Sequence, residues 1–555
     1  QGQANTTALG EYVALAGMKR LSGKLKYHAM LLREKPKKYS LTFDSDLVGV
    51  GINLPEPLSK NAEQAWPLRL KWIPEGKNAV ILNVDLDNKI SVSLLHDGAA
   101  RSAAYFQAAA VGVNQTPPLL HSGLNVDVRY PTVDIDLWNR IIDDFSMPFP
   151  KAPSARRQPL LPDLHEFRLQ ANYVQLQGVE MDHVIFTAKQ PEPMQWRVDI
   201  SSSQTAGTLF WREAQGKVAG NIEAKFDRLA LGHNAENTNS VLDSSSPDND
   251  ISKVQDYFDM PAIDLKVDRF TLYGHELGSL SVQGVNQARG ELWKLNKLNL
   301  VSPSSHIKGS GVWRLNGLDR GLTLDAQADI SNLGDYFDQL GYKNILQQGS
   351  GTLSGQVVWH NLPWAYKKTD LRGRIEVDFK KGRFNNVGSR SARLLKLLSL
   401  QSVKRLAAFK FDPTSLLKDG FPFDNLRGTI LVNKGIVTTD NYRVVGPLGT
   451  VVIGGNVDLS SEQLNLQAVV VPNLDVSGAA IAAGIAINPI VGIGAFLTQW
   501  LLQAPLAKAM TAQYHISGNW DDPKVKEVAH VQETEKAQPG QAEKPDLPLA
   551  AELQR

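Results

Sequence analysis

The 555-residue sequence contains no cysteine, which excludes disulfide bonds, thiolate metal sites and cysteine nucleophiles. Its eleven histidines are scattered, and none has the HxH or HExxH spacing of a zinc site. A GxSxG nucleophile elbow and a Walker A loop are also missing. The net charge of +2 is too small to indicate a protein that binds nucleic acid through its overall charge. The sequence therefore predicts no enzyme, no metal site and no cofactor.

Apolar residues that alternate with polar ones are abundant, as in Val126–Tyr130, Val133–Leu137 and Ile263–Val267. Such alternation predicts strands with one apolar and one polar face, and therefore a mostly β chain built as a long antiparallel sheet. Glycine-rich runs such as Gly349–Gly355 predict hairpin turns between strands. The side chains predicted to point to the apolar face are Val126, Val128, Val133, Ile135, Ile263, Leu265, Val267, Ile375, Val377, Phe379, Leu464 and Leu466.

Parts of the sequence recur at a period of about 100 residues. Asp256-Tyr-Phe-Asp259 returns as Asp335-Tyr-Phe-Asp338, and Trp196 and Trp211 match Trp293 and Trp313. We therefore expect units of several strands and one short helix. The predicted units are 1–148, 149–260 with a disordered insert at 232–253, and 261–387, followed by a C-terminal module at 388–528 and a disordered tail at 529–555.

The segment Val476–Ala507 contains no charged residue. It is long enough to cross a membrane, but Asn488-Pro489 and Pro505 favour two short apolar helices, Ala479–Ile487 and Pro489–Gln503, folded as a hairpin. Three interpretations stay open: a buried plug on a sheet, a hairpin that dips into a membrane, and a true span.

A second unusual segment, Arg393–Leu406, combines leucines at helical spacing with many cations. A basic amphipathic helix can lie on an anionic membrane, or it can cap a sheet with its leucine face. The predicted membrane-contact residues of the two segments are Arg390, Arg393, Leu394, Lys396, Leu397, Leu398, Lys404, Arg405, Ile493, Phe496, Leu497, Trp500 and Leu501.

The long apolar face needs a cover, because the sequence predicts only a few short helices. Either sheets pack on each other as sandwiches, or the sheet curls into a trough whose lining is covered by lipid acyl chains. Each buried methylene would contribute about 0.8 kcal/mol to holding such a lipid.

The segment Gly388–Lys526 resembles the C-terminal region of AsmA-like bacterial envelope proteins. The matching features follow in that family's order: the basic leucine-rich helix Arg393–Leu406, the motif Gly420–Gly428, the strands Gly428–Leu474, the apolar hairpin, and the motif Tyr514–Pro523. The preceding repeats resemble the long body of the same proteins.

This resemblance implies a long, taco-like β-groove with a few short amphipathic helices and a C-terminal helical hairpin. It implies transport of phospholipids between the inner and outer membranes across the periplasm of a Gram-negative bacterium. It also implies an inner-membrane anchor that precedes this chain, and an outer membrane, or a protein there, at the C-terminal end. No catalytic residue and no cofactor carries over, and we expect no contact with nucleic acid.

Two other functions remain open from the sequence. One is a structural envelope scaffold of β-sandwich repeats with a C-terminal membrane contact. The other is a polysaccharide-binding or polysaccharide-cleaving protein, since a pair of catalytic carboxylates forms in space and leaves no sequence spacing. The dispersed tryptophans disfavour a polysaccharide site, and the long apolar alternation favours lipid transport.

Overall fold

The structure is a computed structural model. It describes residues 1–6, 20–35, 38–76, 78–99, 104–138, 141, 159–176, 179–232, 260–288, 291–314, 320–360, 368–385, 421–447, 449–472, 512–519 and 523–527. The basic helix predicted at 393–406, the apolar hairpin predicted at 479–503, most of the insert predicted at 232–253 and the tail predicted at 529–555 lie outside these residues.

The described chain is mostly β and forms one sheet of 27 strands. The strands are β1 Gly2–Asn5, β2 Leu21–Lys35, β3 Lys38–Ser45, β4 Val50–Ile52, β5 Leu68–Glu75, β6 Ala79–Leu86, β7 Ile90–Asp97, β8 Ala108–Val113, β9 Gly123–Asp134, β10 Leu164–Leu176, β11 Val179–Glu192, β12 Gln195–Ser201, β13 Ala206–Arg212, β14 Asn221–Leu231, β15 Ala262–Leu272, β16 His275–Ala288, β17 Leu292–Val301, β18 Ser305–Arg314, β19 Gly321–Ile330, β20 Leu346–Trp359, β21 Arg372–Phe384, β22 Phe421–Asn433, β23 Ile436–Gly446, β24 Gly449–Asp458, β25 Gln463–Pro472, β26 Ala512–Asn519 and β27 Lys524–Glu527. The α-helix α1, Leu333–Gln339, joins β19 to β20, and a 3-10 turn at Lys368–Asp370 precedes β21.

Neighbouring strands in the chain are neighbours in the sheet. Each strand from β5 onward pairs with the next one, β3 pairs with β2 and β5, and the short β4 pairs with β2. Among the described strands, β1 pairs with β2 alone and β27 pairs with β26 alone, so the sheet is open at both ends. Strands lie about 4.8 Å apart, so this series runs for about 120 Å along the sheet. The long β-groove expected from the sequence agrees with this architecture.

The sheet is mixed rather than purely antiparallel. β8 and β9, β9 and β10, and β14 and β15 are parallel neighbours, which the sequence did not predict. Parallel neighbours need a connection that crosses back over the sheet. At β8 this connection passes directly over Gly112, where a Cβ would lie 2.4 Å from the Gln115 carbonyl oxygen.

The register gives the sheet two chemically different faces. A single cross-strand row of polar residues or glycine, here called the polar row, runs from β3 to β22 on one face. Its members are Asp44, Arg69, Asp85, Ser91, Gly112, Asp127, Arg168, Thr187, Asp199, Thr208, Lys225, Lys266, Ser281, Asn299, Lys308, Gln327, Ser354, Glu376 and Thr429. The residues next to them in each strand point to the opposite, apolar face.

Two local predictions were wrong. The alternation Val133–Leu137 predicted a strand, but β9 ends at Asp134 and residues 135–138 are helical. Asp134 accepts a hydrogen bond from the Leu137 backbone N–H at 2.9 Å, which caps this turn and ends the strand. The run Gly349–Gly355 predicted a turn, but it lies inside β20.

Two glycines of β20 allow its backbone to lie close to that of β21. A Cβ at Gly351 or Gly355 would lie 2.1 Å from a carbonyl oxygen of β21, so only glycine allows the two strands to approach this closely. Glycine in a strand interior is typical of such a close approach between two backbones.

The packed core lies on the apolar face and is strongest near α1. Asn332 caps α1 by accepting a hydrogen bond from the Asp335 backbone N–H. Leu333 is fully buried and packs with β-strand residues such as Phe379 and Phe423, which are 4% and 2% exposed. The helix thus covers one margin of the apolar face.

Candidate functional site

The candidate site is the apolar face itself, because its cross-strand rows are continuous. One row, here the first apolar row, contains an apolar residue or glycine in every strand from β5 to β21: Leu68, Leu86, Ile90, Val113, Val128, Leu169, Phe186, Ile200, Gly207, Phe226, Val267, Leu280, Leu300, Ile307, Ala328, Leu353 and Val377.

A second apolar row lies beside the first, two residues away in most strands. It consists of Ala29, Phe43, Leu70, Val84, Val92, Val111, Val126, Phe167, Ala188, Val198, Leu209, Ala224, Leu265, Val282, Leu298, Gly309, Ala326, Gly355, Ile375 and Ile430. Neither row contains a charged or hydrogen-bonding side chain. Together they form a continuous apolar strip that crosses most of the sheet.

The structure brings the predicted lining residues together on this face. Val126, Leu265 and Ile375 belong to the second apolar row, and Val128, Val267 and Val377 belong to the first. Ile263 and Leu464 lie in a third row on the same face. The residues between them in this row are Gly284, Leu295, Gly311, Leu324, Val357, Gly373, Val432, Val437 and Val457.

Their exposure differs, which sequence reasoning could not foresee. Val267, Val377, Phe379 and Leu464 are between 2% and 6% exposed and belong to packed clusters. The remaining predicted lining residues are half-buried, namely Val126, Val128, Val133, Ile135, Ile263, Leu265, Ile375 and Leu466. Val133 and Ile135 pack on the cluster around Leu169 and Val174, although Ile135 sits in a helical turn. The half-buried residues are the ones that a ligand could contact.

Aromatic residues concentrate at one margin of the apolar face, which the sequence did not predict. Trp293 and Trp313 pair across β17 and β18 with ring centroids 6.5 Å apart, and Trp196 pairs with Trp211 in the same way across β12 and β13. The Trp293 indole N–H donates to the Pro261 carbonyl oxygen at 2.9 Å. The matching of these tryptophans at a period of about 100 residues was the available sequence signal.

The opposite margin carries two covering elements. One is α1, whose Phe337 ring lies edge-on to Phe379 with centroids 6.5 Å apart. Burial raises the pKa of Tyr336 in the same helix. The Gln339 amide donates to the Glu276 carbonyl oxygen at 2.7 Å and ties the helix back to β16. The other element is residues 46–67, here called the lobe, which lies between β3 and β5.

Several charged side chains form ion pairs on the polar face. Burial acts to raise the pKa of Glu166, but hydrogen bonds from Lys189 and Arg168 outweigh it and hold this pKa below its usual value. Arg168 and Lys189 lie 2.6 and 3.0 Å from the Glu166 carboxylate. A hydrogen bond from Arg197 likewise lowers the pKa of Asp199. The Lys189–Glu166 pair links β11 to β10, whereas the other two pairs lie within one strand, and none of them places a charge on the apolar rows.

The C-terminal strands differ from the rest, since β24 is buried on both faces at its start. Val451 and Ile453 point to the apolar face, while Val452 points to the other face and is still only 4% exposed. Burial lowers the pKa of the neighbouring Arg443. The polar face is therefore covered at the start of β24, whereas Asn456 and Asn465 on the same face remain exposed.

The predicted membrane-contact residues, Arg390 to Arg405 and Ile493 to Leu501, lie outside the described residues. Within the part of the chain that the structure describes, no helix is both long and apolar enough to span a bilayer. The same part contains no cluster of three or more histidine or carboxylate side chains placed to hold a metal ion.

Comparison with known proteins supports the resemblance seen in the sequence. The intermembrane phospholipid transporter YhdP of Escherichia coli (strain K12) is 32% identical over 225 residues. The match covers 40% of this chain and 17% of that protein. No solved structure matches the chain. A family model described as YhdP protein matches residues 1–525. Because that match covers nearly all of the 555 residues, the chain belongs to the YhdP family.

Proposed function

We propose that this chain is a section of a conduit that moves phospholipids between the inner and outer membranes, with the acyl chains lying on the apolar face. The observation that carries the proposal is the continuity of the two apolar rows, from β2 to β22 in the longer one. The name of the Escherichia coli relative, an intermembrane phospholipid transporter, supports the same function.

The chemistry of the rows fits movement as well as binding. Each methylene that leaves water for an apolar surface contributes about 0.8 kcal/mol, so a lipid with two long chains is held well. Neighbouring positions along a row offer similar apolar surface, because each row consists of aliphatic residues, phenylalanine, alanine and glycine without a polar interruption. A lipid can therefore shift by one strand spacing, about 4.8 Å, and lose little contact.

The polar head cannot share this surface, because a phosphate without a hydrogen-bond partner is costly to bury. We propose that the head group stays at the open side of the groove in contact with water. The length of the sheet, about 120 Å, greatly exceeds the roughly 30 Å hydrocarbon core of a bilayer. This suits a protein that extends through the periplasm between two membranes.

We further propose that the C-terminal end meets the outer membrane, or a protein there, through the basic segment Arg393–Leu406 and the apolar segment Val476–Ala507. Their composition supports this, because cations near an anionic surface contribute about 1 kcal/mol each. An N-terminal anchor in the inner membrane belongs to the same proposal. It includes no catalytic step and no cofactor.

The test is extraction of lipid from the purified chain, followed by mass spectrometry and by transfer of fluorescent phospholipid between two vesicle populations. We expect two-chain glycerophospholipids to copurify in at least equimolar amount, and the chain to speed transfer. A folded chain that carries no phospholipid and does not speed transfer would refute the proposal.

A further inference from the structure

The lobe at 46–67 is built on the apolar face rather than outside the sheet. Its Leu47, Val50 and Trp66 are 7%, 2% and 6% exposed, and they pack with Phe43 and Leu86. These two partners belong to the second and first apolar rows. The lobe thus occupies part of the proposed lipid path at the β2–β6 end.

The base of the lobe is strongly fixed. The Lys60 ammonium donates to the carbonyl oxygens of Leu47, Val50 and Asn61 at 2.9, 2.7 and 3.1 Å. Ile52 and Lys60 exchange backbone hydrogen bonds at 2.8 and 3.1 Å, and β4 pairs with β2. Burial lowers the pKa of Lys60, but its three carbonyl partners satisfy the ammonium group.

The tip of the lobe, residues 53–59, is held much more weakly. Asn53, where the tip begins, is hydrogen-bonded to Arg20, and the side chains of the tip are exposed or half-buried rather than fully buried. Beyond Asn53, the Tyr130 hydroxyl in β9 donates a hydrogen bond to the Glu56 carboxylate at 3.3 Å. Tyr130 lies in β9 on the apolar face, opposite Ala171, and burial followed by the charge of Glu56 raises its pKa.

This contact bridges a long stretch of sheet. β9 follows β2 by six strand pairings, which amounts to roughly 29 Å along the sheet. A segment with a fixed base and a tip without a fully buried side chain opens more easily than the packed strands beneath it. A single exposed hydrogen bond shifts an open–closed equilibrium by only about threefold to tenfold.

We propose that the lobe is a flap that narrows the groove between β2 and β9, and that the Tyr130–Glu56 hydrogen bond latches it. When the flap is closed, lipid can pass only along the margin away from the lobe. When the flap is open, the apolar face near β9 also becomes available to lipid. This inference rests on the proposed function for its effect on lipid, but the motion of the tip can be measured without lipid.

The first experiment follows the tip directly. Because the chain has no cysteine, spin labels can be placed at Ser59→Cys and Thr132→Cys alone. Pulsed electron paramagnetic resonance should give a short and a long distance, and Tyr130→Phe should raise the long fraction about threefold. Tyr173→Phe is the matched control, since it removes a tyrosine–carboxylate hydrogen bond to Glu180 outside the lobe. One short distance that Tyr130→Phe leaves unchanged would overturn the flap.

The second experiment measures the consequence for lipid. A Glu56→Cys, Tyr130→Cys chain is locked with a short bis-maleimide, and uptake of fluorescent phosphatidylglycerol from phosphatidylethanolamine–phosphatidylglycerol vesicles is timed. We expect the lock to slow uptake about tenfold relative to the same variant with singly blocked thiols. Equal rates, with a mobile tip, would overturn the gating role but leave the conduit intact. No uptake by the unlocked or the unmodified chain would instead count against the proposed function.

Discussion

Two adjacent valines in β20 allow one experiment to compare the two faces of the sheet. Val357 points to the apolar face, between Leu324 and Gly373, whereas Val358 points to the polar face, between Thr323 and Arg372. Both are half-buried. Val357→Asp therefore places a carboxylate against the acyl chains, and Val358→Asp adds the same group beside an arginine.

We expect a large difference in lipid binding between the two variants. A carboxylate buried against acyl chains without a partner costs several kcal/mol. Even about 3 kcal/mol lowers the affinity for lipid at this position by roughly 150-fold. Without lipid the Val357→Asp carboxylate still lies beside the packed cluster of Trp293, Trp313 and Trp359, so this variant should lose about 2 kcal/mol of folding stability and Val358→Asp about 1 kcal/mol.

The assay is phospholipid retained per purified chain, measured by mass spectrometry, with thermal unfolding followed by circular dichroism as the check on folding. We expect Val357→Asp to retain less phospholipid than Val358→Asp while both variants stay folded, because acyl chains should avoid the part of the apolar face beside the new carboxylate. The reasoning is refuted if both folded variants retain the same amount of lipid.

Three further predictions follow from the fold and from the sequence. Gly355→Ala should lower the free energy of unfolding by about 2 kcal/mol in urea, because its Cβ would press on the Arg374 carbonyl oxygen, whereas Ser354→Ala should change little. Glu166→Gln should lower the free energy of unfolding by about 1 kcal/mol at pH 7. Because the pKa of Glu166 is lowered in the folded chain, the difference in stability between the two proteins should fade as the pH falls below about 4.5. A difference that stays constant with pH would contradict the ion pairs of Glu166. The full chain should float with anionic liposomes, and Trp500→Asp should weaken flotation; unchanged flotation would exclude a membrane contact by Val476–Ala507.

The alternation of the sequence predicted the two faces because side-chain period in a strand is fixed at two. Ile263–Val267 and Ile375–Phe379 therefore fell on the predicted face. Parallel pairing at β9 and β14 left no local signal, since it depends on a connection that crosses the sheet. Val133–Leu137 shows the limit of periodicity, because a capping aspartate at 134 ended the strand.

The covers of the apolar face were hardest to predict. The lobe at 46–67 has no periodic pattern, and its position depends on Lys60 finding three carbonyl groups in space. The burial of Val377 and Phe379 likewise depends on α1, which packs over them from a distant turn of the chain. Sequence alone could place these residues on a face but could not say which ones a ligand reaches.

The most direct test of the conduit is a photocrosslinking scan along β20 in living cells. A photoreactive amino acid is placed in turn at Leu353 and Val357 on the apolar face and at Ser354 and Gln356 on the polar face. We predict phospholipid adducts at Leu353 and Val357 and none at Ser354 and Gln356, which is the two-residue period of the strand. Equal labelling on both faces, or no phospholipid adduct at Leu353 and Val357, would contradict the account.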